Sequence, residues 1–433
     1  MKNTLARSRA IFFGLAFITL WASPALAQGN TWIGANLARM VDAAGWKLGV
    51  MRLNAALEVL NAGYDTDIYY GYREPVPDGT ISARLPVQVL WPLGKKAVLD
   101  VSERPEYVFY LEAERERAWN HDFQGRFHLA LNRVYVQAGA GISSIRQRQA
   151  SEVFINLREK RNDLSGLLFW QASRQMSFAM AYDWSKFDYG SEEFNGIPLA
   201  EMLARRERYL DLVGYVQPSS RVRLLLDAQY GSYSFTDVVS SVRDSRSYGI
   251  FGGIEFIPRA SEGDGGEGTR GLFRLGYQRL DLLDPAQTDG EGFVGAGNVT
   301  FDLTSRTSAR VFFFRGREFS IYSGPTFFMR NTIGAGLSRR LSRKLTLSYD
   351  GSLGRTAYPE TGGAPGTGES YMLHAVSLHL RVSRLTNLTF LASYNRRYRG
   401  PTGLSHDRAF LGINLTCGYP GGAMALPVGG LSH

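Results

Sequence analysis

The stretch from Met176 to Trp184 reads MSFAMAYDW. Large apolar side chains stand at every second position, and small or polar side chains stand between them. In an α-helix the residues on one face recur every three or four positions, whereas a period of two belongs to a β-strand with two different faces. About ten residues is also the length that a tilted strand needs to cross a bilayer. The stretch therefore predicts a strand with one apolar and one polar face.

The same alternation recurs along the chain. It is clearest at residues 222–230, 345–353, 378–382, 388–395 and 411–419. A soluble sheet with one buried face alternates in the same way, so alternation alone predicts only an all-β fold. Aromatic residues make up 12% of the chain, which suits a membrane barrel but also occurs in soluble domains.

The connections between these segments separate the two cases. Short connections carry a recurring Ser-Arg pair, at Ser173-Arg174, Ser220-Arg221, Ser305-Arg306, Ser342-Arg343 and Ser383-Arg384. Long connections alternate with them, at 64–78, 112–121, 147–160, 187–207, 235–244, 283–292, 318–326, 356–369 and 398–407. Short periplasmic turns and long extracellular loops are typical of bacterial outer-membrane barrels. The spacing of the pairs would also suit a propeller, but no Trp-Asp or kelch-type marker accompanies it.

This asymmetry predicts an all-β fold, an up-and-down antiparallel transmembrane barrel of about eighteen strands in the outer membrane. The predicted strands are 48–62, 80–91, 96–111, 122–131, 133–146, 161–172, 174–186, 208–217, 220–234, 246–257, 271–282, 293–303, 306–317, 327–339, 343–355, 371–382, 386–397 and 408–419. An even count places both termini in the periplasm. Closure is required because an open sheet edge cannot survive in hydrocarbon. Aromatic residues near predicted strand ends suit interfacial girdles: Trp46, Trp91, Trp119, Trp170 and Trp184.

The N-terminus carries the features of a secretory signal peptide over residues 1–27. Positive residues precede the apolar stretch Ile11 to Trp21, and Ala25-Leu26-Ala27 gives a cleavage site. Residues 28–45 then form a periplasmic segment with a short helix predicted over Thr31 to Ala44. That helix could plug the lumen, touch a periplasmic partner or remain a mobile leader. The barrel is predicted over 46–419 and a periplasmic tail over 420–433.

Three places resemble a known family, the outer-membrane β-barrel porins encoded near exopolysaccharide biosynthesis and export clusters. They are GVMRLNAALEVLNAGYDTD at Gly49 to Asp67, FNGIPLAEML at Phe194 to Leu203, and FLGINLTCGY at Phe410 to Tyr419. The resemblance covers nearly the whole mature chain. It implies passage of a polysaccharide across the outer membrane, with a periplasmic polysaccharide-export protein as partner.

The polar faces of the predicted strands supply the candidate site, which is the wall of a pore. The pore-lining candidates are Arg223, Asp227, Gln229, Lys344, Asp350, His379 and Arg381. Mixed charges with a cationic excess would favour anionic or hydroxyl-rich solutes, although any barrel needs a polar interior. No metal-ligand spacing or cofactor motif is present, and no cofactor is expected. Cys417 is the only cysteine and is expected to be a small apolar residue on the membrane face.

We expect a conduit for secreted exopolysaccharide that contacts outer-membrane lipid, and we do not expect an enzyme. A general diffusion porin for small hydrophilic solutes is the main alternative. A barrel-borne hydrolase would rest on Ser377 and His379, which share one strand face but lack an orienting third group. A structural or adhesive barrel is a further alternative. Basic residues are dispersed rather than clustered, so nucleic acid is not an expected partner.

Overall fold

The computed structural model describes residues 33–69, 74–148, 152–153, 155–257, 268–321, 326–358, 368–399 and 404–421. The predicted signal peptide and nearly all of the predicted tail lie outside the described residues. Eighteen antiparallel strands form one closed sheet, as the sequence predicted. Each strand pairs with the next, and the first pairs with the last, so the backbone hydrogen bonds of the sheet are satisfied without an open edge.

In chain order the strands are β1 Met51–Asp65, β2 Asp78–Arg84 with Val87–Leu93, β3 Ala97–Glu103 with Glu106–Tyr110, β4 Ala118–Ala130, β5 Val134–Gln147, β6 Leu157–Gln171, β7 Met176–Tyr189, β8 Arg205–Ser219, β9 Val222–Phe235, β10 Ser245–Phe256, β11 Thr269–Leu282, β12 Gly290–Thr304, β13 Thr307–Phe319, β14 Phe327–Arg340, β15 Leu345–Ala357, β16 Glu369–Arg381, β17 Thr386–Arg399 and β18 Leu404–Gly418. A short strand, Trp46–Leu48, leads into β1. Helix α1 spans Ile33–Asp42, and α2 spans Leu199–Leu203 in the loop after β7. Two 3-10 turns, Glu114–Glu116 and Ser241–Arg243, and a small hairpin, Glu193–Phe194 with Ile197–Pro198, lie in other parts of the long loops. No helix in the described ranges has the length and apolarity to span a bilayer.

The two faces of the sheet differ as the alternation predicted. In β7 the side chains of Phe178 and Met180 point outward and are 42% and 45% exposed, whereas Ala179 and Ala181 between them are buried. The outer face is therefore apolar, which suits lipid, and the polar residues of the same strands point into the barrel. Cys417 shares the outward parity of Leu411 and Ile413 and forms no disulfide.

Three of the five recurring Ser-Arg pairs have a structural cause in the short turns. The Ser173 Oγ accepts hydrogen bonds from the backbone N–H groups of Gln175 and Met176, at 3.2 and 3.0 Å. Ser342 and Ser383 make the same two bonds within their own turns. A serine side chain that satisfies two backbone donors stabilises a tight reversal of the chain. The arginines that follow are exposed to solvent. We call this the periplasmic end of the barrel and the long-loop end the extracellular end.

The wall is irregular in the sector where the sheet closes. Pro86 and Pro105 interrupt β2 and β3, because proline has no backbone N–H to donate to a neighbouring strand. Their carbonyls still accept hydrogen bonds from Ala56 and Leu85, so the sheet continues across the interruptions. In β1, the pairing register shifts beside Asn61, whose φ of 52° lies in the left-handed region. At the periplasmic end of the closing seam, the ring of Tyr419 packs edge-on against Trp46, with centroids 5.1 Å apart.

Candidate functional site: the barrel lumen

The predicted pore-lining residues of β9 lie on the inner wall and are paired. Asp227 is buried, and its Oδ2 lies 2.8 Å from Nη1 of Arg274, which reaches it from β11. The guanidinium passes over the ring of Phe251 in β10, 4.0 Å from the ring centroid. Gln229 donates a hydrogen bond of 2.9 Å to Asp211 of β8. This sector of the wall is therefore a network of charged and amide side chains.

Arg223 and Asp350 occupy two further parts of the inner wall. Arg223 forms an ion pair of 3.1 Å with Glu255 of β10, and its guanidinium lies 5.5 Å from the ring centroid of Tyr215. Asp350 of β15 pairs with Arg310 of β13. Both predicted residues therefore face partners of opposite charge, which keeps the interior close to neutral.

His379 is held by two hydroxyl groups. Its Nε2 lies 2.9 Å from Ser377 Oγ, and its Nδ1 lies 3.0 Å from Thr389 Oγ1 on β17. The predicted Ser-His contact is present, but the group that orients the ring is a threonine rather than a carboxylate. In the described part of the chain, no three His, Cys, Asp or Glu side chains are arranged to hold a metal ion.

Lys344 and Arg381 lie at the periplasmic rim rather than along the wall. Lys344 stands in the turn before β15 and is exposed, because the Ser342 hydroxyl caps this turn and the strand starts one residue later. The prediction that Lys344 lines the pore is therefore wrong in position. Arg381 is the last residue of β16 and is also exposed, and its backbone N–H bonds to the carbonyl of Lys344.

Helix α1 lies inside the periplasmic half of the lumen. Its residues Leu37 and Val41, with the following Ala44, are buried in one apolar cluster with inward-facing side chains of the wall. These wall residues are Leu90, Val98, Ala130, Tyr135, Leu167, Phe169, Ala179, Ala181, Val213, Tyr215 and Leu225. All of them lie near the periplasmic ends of β2 to β9. Of the three roles open to this helix from sequence, it occupies the lumen, and we call it the plug.

A chain of buried polar side chains runs from the plug along the wall. The backbone N–H of Gly45 donates to Asn54 Oδ1 at 2.8 Å, and Asn54 donates to Gln88 at 3.1 Å. Gln88 donates to Asp100 at 2.9 Å, and His128 Nε2 lies 3.8 Å from the other oxygen of Asp100. These bonds fix the segment that leaves the plug to β1, β2 and β3.

Loops from opposite sides of the barrel meet over the extracellular mouth. Glu152, in the loop between β5 and β6, accepts hydrogen bonds from Ser320 Oγ at 2.8 Å and from the N–H of Ile321 at 2.7 Å. The hydroxyl of Tyr358, after β15, donates to the same carboxylate at 2.6 Å. Counted around the ring, β5 lies eight strands from both β13 and β15, close to the largest separation that eighteen strands allow. The loops must therefore cross the opening, and we call this assembly the lid.

Arg243 ties a further loop into the lid. It is 2% exposed, lies in the loop between β9 and β10, and donates to the carbonyls of Ser320, at 2.6 Å, and Met202. Its guanidinium lies 4.4 Å from the ring centroid of Phe235. An apolar cluster fills the space beside it: Val153, Leu157, Phe194, Leu199, Leu203 and Ile321. The predicted family motif at Phe194 to Leu203 therefore belongs to the lid.

A second carboxylate joins the loops on the side of β1 to β8. Glu116 pairs with Arg146 at 3.3 Å and accepts hydrogen bonds from Tyr69 at 3.3 Å and Asn156 at 3.1 Å. Arg146 also pairs with Glu192 at 2.7 Å. Four of the long loops therefore share one charged network.

Burial shifts the pKa values of the two central lid groups. Desolvation raises the pKa of Glu152 above the ordinary glutamate value, although the hydrogen bonds from Tyr358, Ile321 and Ser320 oppose this shift. Desolvation, with help from nearby Arg205, lowers the pKa of Arg243 to about 10. Arg243 therefore stays charged at neutral pH, whereas burial in the closed lid favours the protonated form of Glu152 relative to an exposed glutamate.

Between the plug and the lid, the inner wall is rich in aromatic rings. Tyr209 and Tyr233 meet edge to face with centroids 5.6 Å apart, and Phe319 contacts Tyr233 at 5.0 Å. The guanidinium of Arg205 stands 4.6 Å from the ring centroid of Phe187. Tyr209 and Tyr233 are buried in one cluster with Leu280 and Phe327, so in this closed structure the rings pack against one another beside charged hydrogen-bonding groups.

The sequence family described as "Putative beta-barrel porin 2" matches residues 40–418 of the chain. The chain belongs to this porin family. Its place is accordingly the bacterial outer membrane, where the outer face of the barrel contacts lipid. The family match starts within the plug and ends on the last residue of β18.

Solved structures similar to this porin are outer-membrane proteins of low sequence identity. OccAB2 from Acinetobacter baumannii has a TM-score of 0.48 and 10% identity, over 85% of this chain and 98% of that chain. The siderophore receptor PirA from Pseudomonas aeruginosa has a TM-score of 0.43 and 11% identity, over 86% of this chain and 81% of that chain. A bacterial polysaccharide outer membrane secretin has a TM-score of 0.36 and 10% identity, over 84% of this chain and 98% of that chain. A search of curated proteins gave no significant match.

Sequence reasoning missed several residues that define the lumen of this porin. Arg205, Glu207, Tyr209 and Asp211 alternate along β8, and period two alone would have placed them on the wall. Arg274 has the same signal on β11. Glu152 and Arg243 carry no such signal, because their partners lie in loops far away in the sequence.

Proposed function

We propose that this porin is a gated conduit that carries a secreted exopolysaccharide across the outer membrane. The observation that carries the proposal is the closure of the lumen at two levels, by the plug below and by the lid above. A general diffusion pore works by standing open, so two closures in series favour a cargo that opens them. The family resemblance adds the class of cargo.

The wall between the closures supports a sugar polymer as that cargo. Tyr209 and Tyr233 are buried against each other in the closed barrel, and once the barrel opens their apolar faces would suit the C–H faces of sugar rings. Charged and amide groups such as Arg205, Asp211 and Gln229 are bonded within the wall in the closed barrel, and on opening they would exchange these hydrogen bonds for bonds to hydroxyl groups. Such a wall binds weakly at many places, which is what conduction of a long chain requires.

The deciding experiment compares export with permeability in the same cells. Deletion of the gene should abolish surface polysaccharide and leave the uptake of small antibiotics almost unchanged, and the wild-type gene should restore the polysaccharide. Retention of surface polysaccharide in the deletion strain would reject the proposal.

A general diffusion porin is the rival that the eighteen-stranded barrel itself favours, because a ring of this size encloses a lumen rather than a packed core. The purified wild-type barrel in a planar bilayer would then show large and steady conductance. We expect the wild-type barrel to remain mostly closed.

We also propose that the barrel is not an enzyme. The His379 ring is oriented by Thr389, and a hydroxyl group does not stabilise an imidazolium as a carboxylate does. Ser377→Ala and His379→Ala should leave export unchanged. Loss of function in both variants would favour a hydrolase.

We propose further that a periplasmic polysaccharide-export protein meets the barrel at its periplasmic rim. There the exposed arginines of the short turns surround the opening that the plug occupies, and they suit an acidic partner surface. Cross-linking in cells from a photoreactive residue at Arg343 should capture this partner, whereas one placed at Val238 in an extracellular loop should not.

A further inference from the structure

The outward face of β6 to β10 carries a group of cations at its extracellular end. They are Lys160, Lys186, Arg206, Arg208 and Arg246, and we call this group the basic patch. Lys186 is about one-third exposed, and the other four are more exposed. Their positions have the parity of the lipid-facing residues, so these side chains point away from the lumen.

The strand register brings these cations together. Lys186 stands directly opposite Arg206, and Arg208 stands opposite Trp184 on one side and Ser232 on the other. Ser232 in turn stands opposite Arg246. Directly opposite side chains on one face have Cβ atoms about 5 Å apart, so the patch is continuous over four strands.

The charges of the patch are poorly balanced by the protein. Asp188 forms an ion pair with Lys186 at 2.8 Å and stands opposite Lys160. Asp281 of β11 stands directly opposite Arg246, although its ion pair is with Arg279. Within the described ranges, no carboxylate lies within ion-pair distance of Arg206 or Arg208. Like charges placed side by side on a sheet destabilise it, so the arrangement calls for anions from outside the chain.

The patch lies at the level of the lipid headgroups. Trp184 and the ring pair of Tyr230 and Tyr248, with centroids 5.4 Å apart, stand at or just below it, as aromatic residues do at a membrane interface. From Met176 to Lys186 the strand rises about 33 Å, or about 25 Å along the axis at a tilt of about 40°, which matches the apolar band of an outer-membrane barrel.

The periplasmic ends of the same strands offer a contrast. Their outward residues are apolar, and they include Leu168, Trp170, Met176, Phe178, Val216, Leu224 and Ile254. The outward cations that stand on the strands β6 to β10 themselves therefore gather at the extracellular end, whereas the exposed cations at the periplasmic end, Arg174 and Arg221, stand in the turns. A ligand that is confined to the outer leaflet explains this asymmetry.

We propose that the basic patch binds the phosphate groups of a phosphorylated glycolipid in the outer leaflet. Arginine guanidinium groups bind phosphate through paired, charge-assisted hydrogen bonds. Arg206 and Arg208 stand at successive outward-facing positions of β8. Trp184 would pack against the acyl chains or sugar of the same lipid. The inference stands independently of what passes through the lumen.

The test measures binding of lipid A with two phosphates to the full-length barrel in detergent, by native mass spectrometry. Arg206→Gln with Arg208→Gln should weaken binding about 25-fold, on the basis of about fivefold for each cation near a headgroup. The double variant Arg221→Gln with Arg343→Gln removes two exposed cations from the periplasmic turns and should bind like the wild type. Arg206→Lys with Arg208→Lys keeps the charge and should retain most of the binding.

Two further probes distinguish the source of the phosphate. Dephosphorylated lipid A should bind no better to the wild type than to the Gln double variant. Inorganic phosphate should compete only at far higher concentrations. The proposal is overturned if the wild type binds dephosphorylated lipid A as tightly as lipid A with two phosphates. It is also overturned if the Gln double variant binds lipid A as tightly as the wild type while it still shows the heat-modifiable mobility of a folded barrel. Competition by inorganic phosphate at the lipid's own concentration would make this a free-anion site and would also overturn it.

Discussion

At the periplasmic end of the lumen one helix rests on an apolar wall, whereas at the extracellular end residues of five loops converge on Glu152 and Arg243. The plug is continuous along the chain and is fixed by neutral hydrogen bonds through Asn54 and Gln88. The lid has no continuous segment, and its central contacts involve buried charges.

The difference indicates how each closure can open. The plug can leave as one body, because it is a single helix that rests on the wall through an apolar cluster and is joined to β1 by the short segment after Asp42. The lid must separate several loops and expose two charged groups to water, so its stability depends on their protonation and pairing. A ligand could displace the plug by competing for its apolar contacts with the wall. The lid responds instead to the protonation and pairing of Glu152 and Arg243.

The largest expected effect comes from opening both closures. Deletion of residues 33–44 together with Arg243→Met should create an aqueous path about 10 Å wide, the diameter of the lost helix. Conductance in planar bilayers should rise strongly in the combined variant and only slightly in either single variant. Truncation of residues 422–433 is the control and should conduct like the parent. Full conductance after the helix deletion alone would show that the lid does not close the mouth.

Arg243→Met by itself should loosen the lid. The change leaves the carbonyls of Ser320 and Met202 without their donor, which costs about 2–3 kcal/mol. Amide hydrogen exchange in residues 199–203 and 236–244 should therefore accelerate roughly 30- to 150-fold. Arg221→Met, in an exposed turn, should change nothing there. Unchanged exchange in both segments would contradict the role of Arg243.

Asn54→Ala should weaken the plug and spare the lid. Gly45 loses its acceptor and Gln88 loses a partner, at a cost of about 1–3 kcal/mol. Exchange of the α1 amides should accelerate while that of residues 199–203 stays constant. Asn132→Ala, in an exposed turn, serves as the control. Equal acceleration at both ends would mean that the two closures are coupled.

The smallest expected effect is a pH dependence of the lid alone. Burial raises the pKa of Glu152 in the closed state, so the closed lid holds this proton more tightly than the open lid. The resulting stabilisation is complete below the ordinary glutamate pKa and is lost as the pH rises through the raised value. Arg243, with its pKa near 10, stays charged throughout this range, and nearby Glu318 adds to the rise at Glu152.

Protease accessibility of the loop around Ile321 between pH 4 and 8 measures this dependence. It should increase with pH in the wild type and become flat in Glu152→Gln. Glu112→Gln changes an exposed loop carboxyl group and should keep the wild-type profile. An increase towards low pH would reverse the assigned sign.

The strand order could be predicted from sequence because each strand carries its own evidence, as MSFAMAYDW does for β7. The positions of Asp227, Gln229 and Asp350 on the wall followed from the same period of two. Lys344 has the parity of the inward-facing residues but lies before the start of the strand. The Ser342 hydroxyl accepts a hydrogen bond from the N–H of Leu345, so the turn continues up to Leu345. The plug and the lid could not be derived, because Leu37 against Tyr135 and Glu152 against Ile321 are contacts that no local pattern records.

The capped turns at Ser173, Ser342 and Ser383 also bear on how the chain folds. Each joins strands that are neighbours in sequence, so its hairpin closes a short loop and forms at small entropic cost. The seam is different, because Leu57 of β1 must find Cys417 of β18 at the far end of the chain. Contacts between residues so far apart in the sequence form late. Until that pairing is made, the growing sheet has two unpaired edges that can associate with other chains, so the closing step sets both the rate of assembly and the window for aggregation.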